Sequence, residues 1–263
     1  MIYSSKPVFS PRPWGHRSIN EAYSVESEDP VGEVWLLSDL DEMRTELTAG
    51  ESVLYPSDIT IDFAGKDLPR FPLLIKYISA SEWLSVQVHP DDETAPVMED
   101  EPWGKSECWY FLEDSLIAAG IKNRSVRLEE LRNDDLSLIR PSEGDLACLP
   151  AGIVHSLGPG SKLIEIQQTS DITYRLYDWG RARELHLDKA IQVTKANAEP
   201  IIVEKMANFS WKYFSLEIAN EVSGTALAIT LGSKPELYVL IDDRMIFERP
   251  TLIVYLGRFW SEV

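Results

Sequence analysis

Cysteine is nearly absent from this 263-residue chain, which has only Cys108 and Cys148. Two thiols give no disulfide framework. Both sit in strand-like segments, so they read as packed free thiols in a cytoplasmic, reducing compartment. Long apolar runs are missing too. No stretch approaches the roughly 18 residues needed to span a bilayer, and Met1-Ile-Tyr-Ser-Ser-Lys-Pro7 lacks the apolar core of a secretory leader. Positive charge is scarce: 25 Lys and Arg stand against 43 Asp and Glu, for a net charge of -18. Such a surface repels a phosphate backbone or an anionic membrane, so neither nucleic acid nor membrane is an expected partner. One small phosphorylated molecule is still allowed, because it needs only a local cluster of Arg or Lys.

What the chain has in quantity is short strand-like runs. They fall at 71–78, 84–89, 107–112, 116–121, 145–149, 154–157, 163–168 and 173–177, and again at 213–218, 226–231, 237–241 and 252–256. Many short strands separated by turn signals indicate an all-β sandwich or barrel. The runs at 107–112 and 116–121 read as a hairpin pair. Short helices are expected at 125–132, where Ser125 can cap, and at 187–195. Ala196-Asn-Ala-Glu-Pro200 reads as a linker dividing the chain into 1–195 and 196–263.

Two segments carry chemistry. Gln87-Val-His89 places two ligand-type side chains at i and i+2, which on a strand point to one face. Gly144-Asp-Leu-Ala-Cys-Leu-Pro150-Ala-Gly152-Ile-Val-His155 runs through a glycine-bounded turn to a Pro-Ala-Gly corner and a histidine. Between them, Gly104-Lys105-Ser106-Glu107 adds a carboxylate. An amide, two imidazoles and a carboxylate suit a divalent metal such as zinc and leave positions open for water or substrate. If Glu107 faces a barrel interior, Cys108 faces away. Along 163–168, Glu165 and Gln167 share a face, with Ile164 and Ile166 on the other.

Gly144, Pro150, Gly152 and His155 are spaced as in the second motif of the cupin superfamily. More closely, the chain resembles the type I mannose-6-phosphate isomerases of the short bacterial form. The resemblance rests on Gln87-Val-His-Pro-Asp-Asp92, Gly104-Lys-Ser-Glu-Cys-Trp-Tyr110, Pro150-Ala-Gly-Ile-Val-His155 and Glu165-Ile-Gln-Gln-Thr-Ser-Asp-Ile-Thr-Tyr-Arg175-Leu-Tyr-Asp-Trp-Gly-Arg181. It runs from about residue 11 to about residue 193. It implies a jelly-roll cupin domain over 1–195 and a second cupin-like β half over 196–263, which is expected here in reduced form. It also implies one zinc ion per chain on Gln87, His89, Glu107 and His155, with Lys105, Glu165, Asp171 and Arg175 lining the same pocket. The implied reaction interconverts mannose 6-phosphate and fructose 6-phosphate. Proton transfer between C1 and C2 passes through an enediol, for which Glu165 is the candidate base and Lys105 or Asp171 the alternatives. Arg175, Lys105 or Arg181 are candidates for the phosphate.

Two departures from the family pattern stand out. About 65 residues follow Pro200, so the second half is expected to lack metal ligands and to pack on the first or cover its last strand by forming a homodimer. His16 stands where a second glycine is common, which would crowd the pocket mouth. The competing classes are a sugar-phosphate-binding module without turnover and an iron-dependent cupin oxygenase. Lys105, Glu165 and Arg175 favour the isomerase over the first, and the amide ligand favours it over the second.

Overall fold

A computed structural model describes all 263 residues. The molecule is built from three antiparallel sheets and a few short helices, as expected. The central sheet has seven strands in the order Ile201–Val203, Leu146–Leu149, Glu107–Phe111, Lys162–Gln168, Leu73–Ser79, Val31–Leu37, Val8–Pro11. Its middle strands are buried on both faces, which explains their nearly continuous apolar runs. One face, including Ile75, Tyr77, Ile164 and Ile166, packs into a core of 32 buried residues shared with the six-stranded sheet. The other turns towards the five-stranded sheet of Leu136–Ile139, Ile117–Ile121, His155–Leu157, Val86–Val88 and Tyr174–Tyr177. Leu163, Phe111 and Leu149 meet Ile117, Ala119 and Leu157 there.

Several expectations need correction. The runs around 107–112 and 116–121 are not a hairpin: Glu107–Phe111 pairs with Leu146–Leu149 and Lys162–Gln168, whereas Ile117–Ile121 pairs in the five-stranded sheet. The chain crosses from one wall to the other, and that crossing opens the space between them. Over 125–132 a single 3₁₀ turn, Leu128–Glu130, replaces the expected α-helix, and a second follows at Asn133–Asp135. Buried Leu131 and the strand beginning at Leu136 leave too little chain for helical turns. The second helix is present at Leu187–Val193. Cys108 and Cys148 are disulfide-bonded rather than free, because antiparallel register sets them directly opposite each other. Cysteine usage therefore no longer argues for a reducing compartment. No helix is long and apolar enough to cross a membrane.

The residues after 196 do not form a sheet of their own. The six-stranded sheet runs Asn208–Ser210, Phe214–Thr230, Leu237–Leu256, Ile2–Lys6, Glu46–Ala49, Ser52–Leu54. N-terminal strands thus complete it, and the shared core joins Tyr3 and Leu47 to Leu227 and Val254. The two long strands are bent, so that Leu227 pairs with both Val239 and Val254. Leu237–Leu256 is covered on both sides, and Phe259–Glu262 forms a terminal helical turn. The open edge on which the homodimer expectation rested is thus closed within one chain. The segment from 196 onward contains neither His nor Cys.

Candidate active site

A cavity of about 880 Å³ opens between the central and five-stranded sheets. Strand register places its walls. Across the five-stranded sheet Arg175, Gln87 and His155 are direct neighbours in that order. Across the central sheet Trp35 lies opposite Lys76, Lys76 opposite Glu165, and Glu165 opposite Trp109. Two residues along on the same face, Gln167 lies opposite Glu107.

His89, Glu107 and His155 converge, with one ligand atom from each lying within 4.8 Å of the others. His155 Nε2 is 3.2 Å from Glu107 Oε1, and His89 Nε2 is 3.5 Å from Glu107 Oε2. Each imidazole donates Nδ1–H to a backbone carbonyl, His89 to Ile172 at 2.7 Å and His155 to Ile153 at 3.0 Å. That contact fixes the tautomer and turns the Nε2 lone pair inward. Gln87 Nε2 lies 3.4 Å from His155 Nε2, and its Oε1 accepts from Ser85 at 3.0 Å. Lys105 Nζ lies 3.2 Å from Glu107 Oε2. His89 Nε2 and both Glu107 oxygens are buried without a hydrogen-bond partner. Orphaned buried polar atoms are costly, and here they all face one point, which is the donor set of a divalent metal. Burial depresses the His89 pKa, and the Lys105 charge adds to it. Burial opposes the Glu107 charge, but Lys105, His89 and His155 outweigh it and hold that carboxyl well below its usual value.

Local backbone explains the glycines. A side chain on Gly104 would meet the Asp91 backbone at 2.4 Å, so only glycine lets the Lys105 loop close under the turn after His89. Gly152 takes a φ of 93° and donates its N–H to the His89 carbonyl at 2.9 Å. That contact ties the Pro-Ala-Gly corner to the first ligand pair.

Glu165 is buried between two donors: Trp109 Nε1–H donates at 2.9 Å and Lys76 Nζ pairs at 3.1 Å. Arg175 lines the cavity with its Nε unpartnered, while its Nη1 donates to the Glu184 carbonyl at 3.4 Å. Asp171 lines the exposed mouth. Arg181 does not line the cavity and is engaged by Asp178 and the Trp83 carbonyl. His16 stays outside, bonded to Ser18 Oγ at 2.8 Å, and does not crowd the mouth.

Among the cavity groups that escaped the sequence analysis are Lys76, Glu33, Arg12 and Arg183. A signal was available for two of them, since Lys76 and Glu33 are single charges inside otherwise apolar strands. Glu33 Oε2 accepts from Trp35 Nε1 at 2.9 Å and from Arg12 Nη2 at 3.1 Å. Burial raises its pKa, but Lys76 and Arg12 outweigh that and bring it down to about 2 from 4.5. A carboxyl depressed on folding contributes stability above its unfolded value and loses it as pH falls towards the folded one. Thermal melts of the natural chain and Glu33→Gln are therefore expected to differ fully near neutrality and to converge as pH drops from 4.5 towards 2. A difference independent of pH would show that the charge contributes nothing.

Residues 14–107 match the family described as phosphomannose isomerase type I, catalytic domain. The chain is 35% identical over 219 residues to mannose-6-phosphate isomerase ManA of Bacillus subtilis, covering 74% of this chain and 68% of that protein. It is also 35% identical over 216 residues to mannose-6-phosphate isomerase of Streptococcus mutans, covering 71% and 67%. Among solved structures, the mannose 6-phosphate isomerase from Bacillus subtilis superimposes with a TM-score of 0.76 at 24% identity over 96% of this chain and 98% of that one. A zinc-bound mannose 6-phosphate isomerase gives 0.73 at 14% identity over 97% and 99%, which speaks to fold alone. With more than two thirds of a curated relative covered at such identity, the chain belongs to the mannose-6-phosphate isomerase family.

Proposed function

We infer that this chain interconverts mannose 6-phosphate and fructose 6-phosphate. The observation carrying the inference is one cavity that holds both a buried set of metal-type donors and a cation-held carboxylate, Glu165. His89, Glu107 and His155 would hold one zinc ion, with Gln87 joining once its amide oxygen turns inward. Bound there, zinc supplies Lewis acidity towards the sugar oxygens at C1 and C2.

The chain's own residues handle the rest. Glu165 takes the proton from C2 of the open-chain aldose and returns it to C1, while the proton of the C2 hydroxyl passes to the C1 oxygen. Trp109 and Lys76 grip the carboxylate from two sides, so its orientation is set before substrate arrives. The Lys76 and Lys105 ammonium groups stabilise negative charge that develops on oxygen. Lys76 suits that role because it stays protonated: burial works against its charge, but Glu165 and Glu33 outweigh burial and raise its pKa. Arg175 takes the phosphate, since its guanidinium has unused donors facing the cavity and presents them as a fork. Asp171, at the mouth, contacts the sugar end away from the metal.

Protein stripped with chelator is expected to form no fructose 6-phosphate from mannose 6-phosphate, and reloading with zinc is expected to restore it. Product that zinc fails to restore would move the assignment to a sugar-phosphate-binding module.

A further inference from the structure

Glu33 touches none of the metal-type donors, yet it is a buried carboxylate in the otherwise apolar strand Val31–Leu37. Burying a carboxylate is expensive, and core packing at this position could be met by an apolar side chain. We propose that Glu33 is a positioning residue of the isomerase, anchoring Trp35 and Arg12 so that the Lys76 ammonium stays fixed against Glu165.

The contacts form a chain. Glu33 Oε2 holds the Trp35 indole N–H at 2.9 Å, which sets the plane of the ring. Trp35 stands directly opposite Lys76 on the neighbouring strand, and Lys76 Nζ lies over the ring, 4.7 Å from its centroid. A desolvated ammonium over an indole face is attracted to it. The ammonium then reaches Glu165 Oε1 at 3.1 Å on the strand beyond. The same Glu33 oxygen holds Arg12 at 3.1 Å, so one carboxylate sets the place of two of the cavity's cations. An indole free to turn would let Lys76 swing away from Glu165. Displacements of about 1 Å in a reacting constellation cost on the order of 10²-fold in rate.

The proposal rests on the isomerase reading, and the zinc-loaded natural chain separates the two. Glu33→Gln keeps the shape but loses the charge. It is expected to lower kcat on the order of 10²-fold, with KM for mannose 6-phosphate changed less than roughly threefold and zinc content unchanged. Glu33→Asp, which restores the charge, is expected to recover part of the lost kcat. Trp35→Phe keeps a smaller aromatic ring beneath Lys76 and removes the N–H contact, with an expected fall in kcat of about 10-fold; it serves if Glu33→Gln folds poorly. A proton NMR signal from the Trp35 indole N–H, assigned by its loss in Trp35→Phe, is expected to move upfield in Glu33→Gln. An unmoved signal, an unchanged kcat in both variants, or a rise in KM alone overturns the proposal. An inactive zinc-loaded natural chain overturns the isomerase reading and this proposal together.

Discussion

Glu107→Gln is expected to lose bound zinc and isomerisation together, with kcat/KM falling on the order of 10³-fold or more. A metal acting as Lewis acid is worth several kcal/mol of transition-state stabilisation, and each 1.36 kcal/mol is tenfold in rate. Glu107 is the centre of the donor set: it is 3.2 Å from His155, 3.5 Å from His89 and 3.2 Å from Lys105. Its charge is what makes the set attractive to a cation, and an amide of the same shape cannot replace it. The amide keeps the shape but leaves the buried Lys105 ammonium without its counter-charge, so the zinc-free variant is expected to melt below the zinc-free natural chain. Melting curves with and without zinc separate these effects. At zinc concentrations of about 1,000 Kd the natural chain should gain roughly 4 kcal/mol, and the variant almost none. Stoichiometric zinc on Glu107→Gln after gel filtration, with natural turnover, would remove Glu107 from the centre.

Glu165→Gln has the second-largest expected effect, a fall in kcat of about 10²- to 10⁴-fold with zinc retained. The amide keeps an acceptor for Trp109 and fills the same space between Lys76 and the Trp109 indole, so packing changes little. What disappears is the ability to carry a proton. Incubation of substrate in heavy water gives a direct reading: the natural chain should wash deuterium into the carbon positions next to the carbonyl, and the variant should not. Full zinc content with near-natural turnover would pass the proton-transfer role to another group in the cavity.

Much of the candidate site could be read from the sequence because its candidate ligands come in short, spaced sets. Gln87 and His89 lie two residues apart at the end of the strand Val86–Val88, and the Gly144–His155 element turns at a corner written in Pro and Gly. Glu107 facing inward while Cys108 faces the core follows from strand alternation alone, and the structure agrees, with Cys108 in the large core. Lys76 and Glu33 were harder. Each is one charge on one strand, and their meaning comes from register across Val31–Leu37, Leu73–Ser79 and Lys162–Gln168. Register between distant strands leaves no local mark. The Cys108–Cys148 bond was hidden for the same reason, since 40 residues separate two positions that face each other. The hairpin expected after Glu107 failed differently, because a short connection suits a crossing between sheets as well as a tight return.

The strand Ile2–Lys6 has a further implication for how the protein comes into being. Its register partner on one side is Leu237–Leu256, and Met1 and Ile241 are bonded across a separation of 240 positions. At about 5 to 20 residues per second of synthesis, this strand must wait roughly 12 to 48 seconds for its neighbour about 240 positions later to be made. Throughout that interval an unpaired β edge is on offer to other nascent chains. Holding that edge quiet is therefore part of what the cell must do before any sugar is turned over.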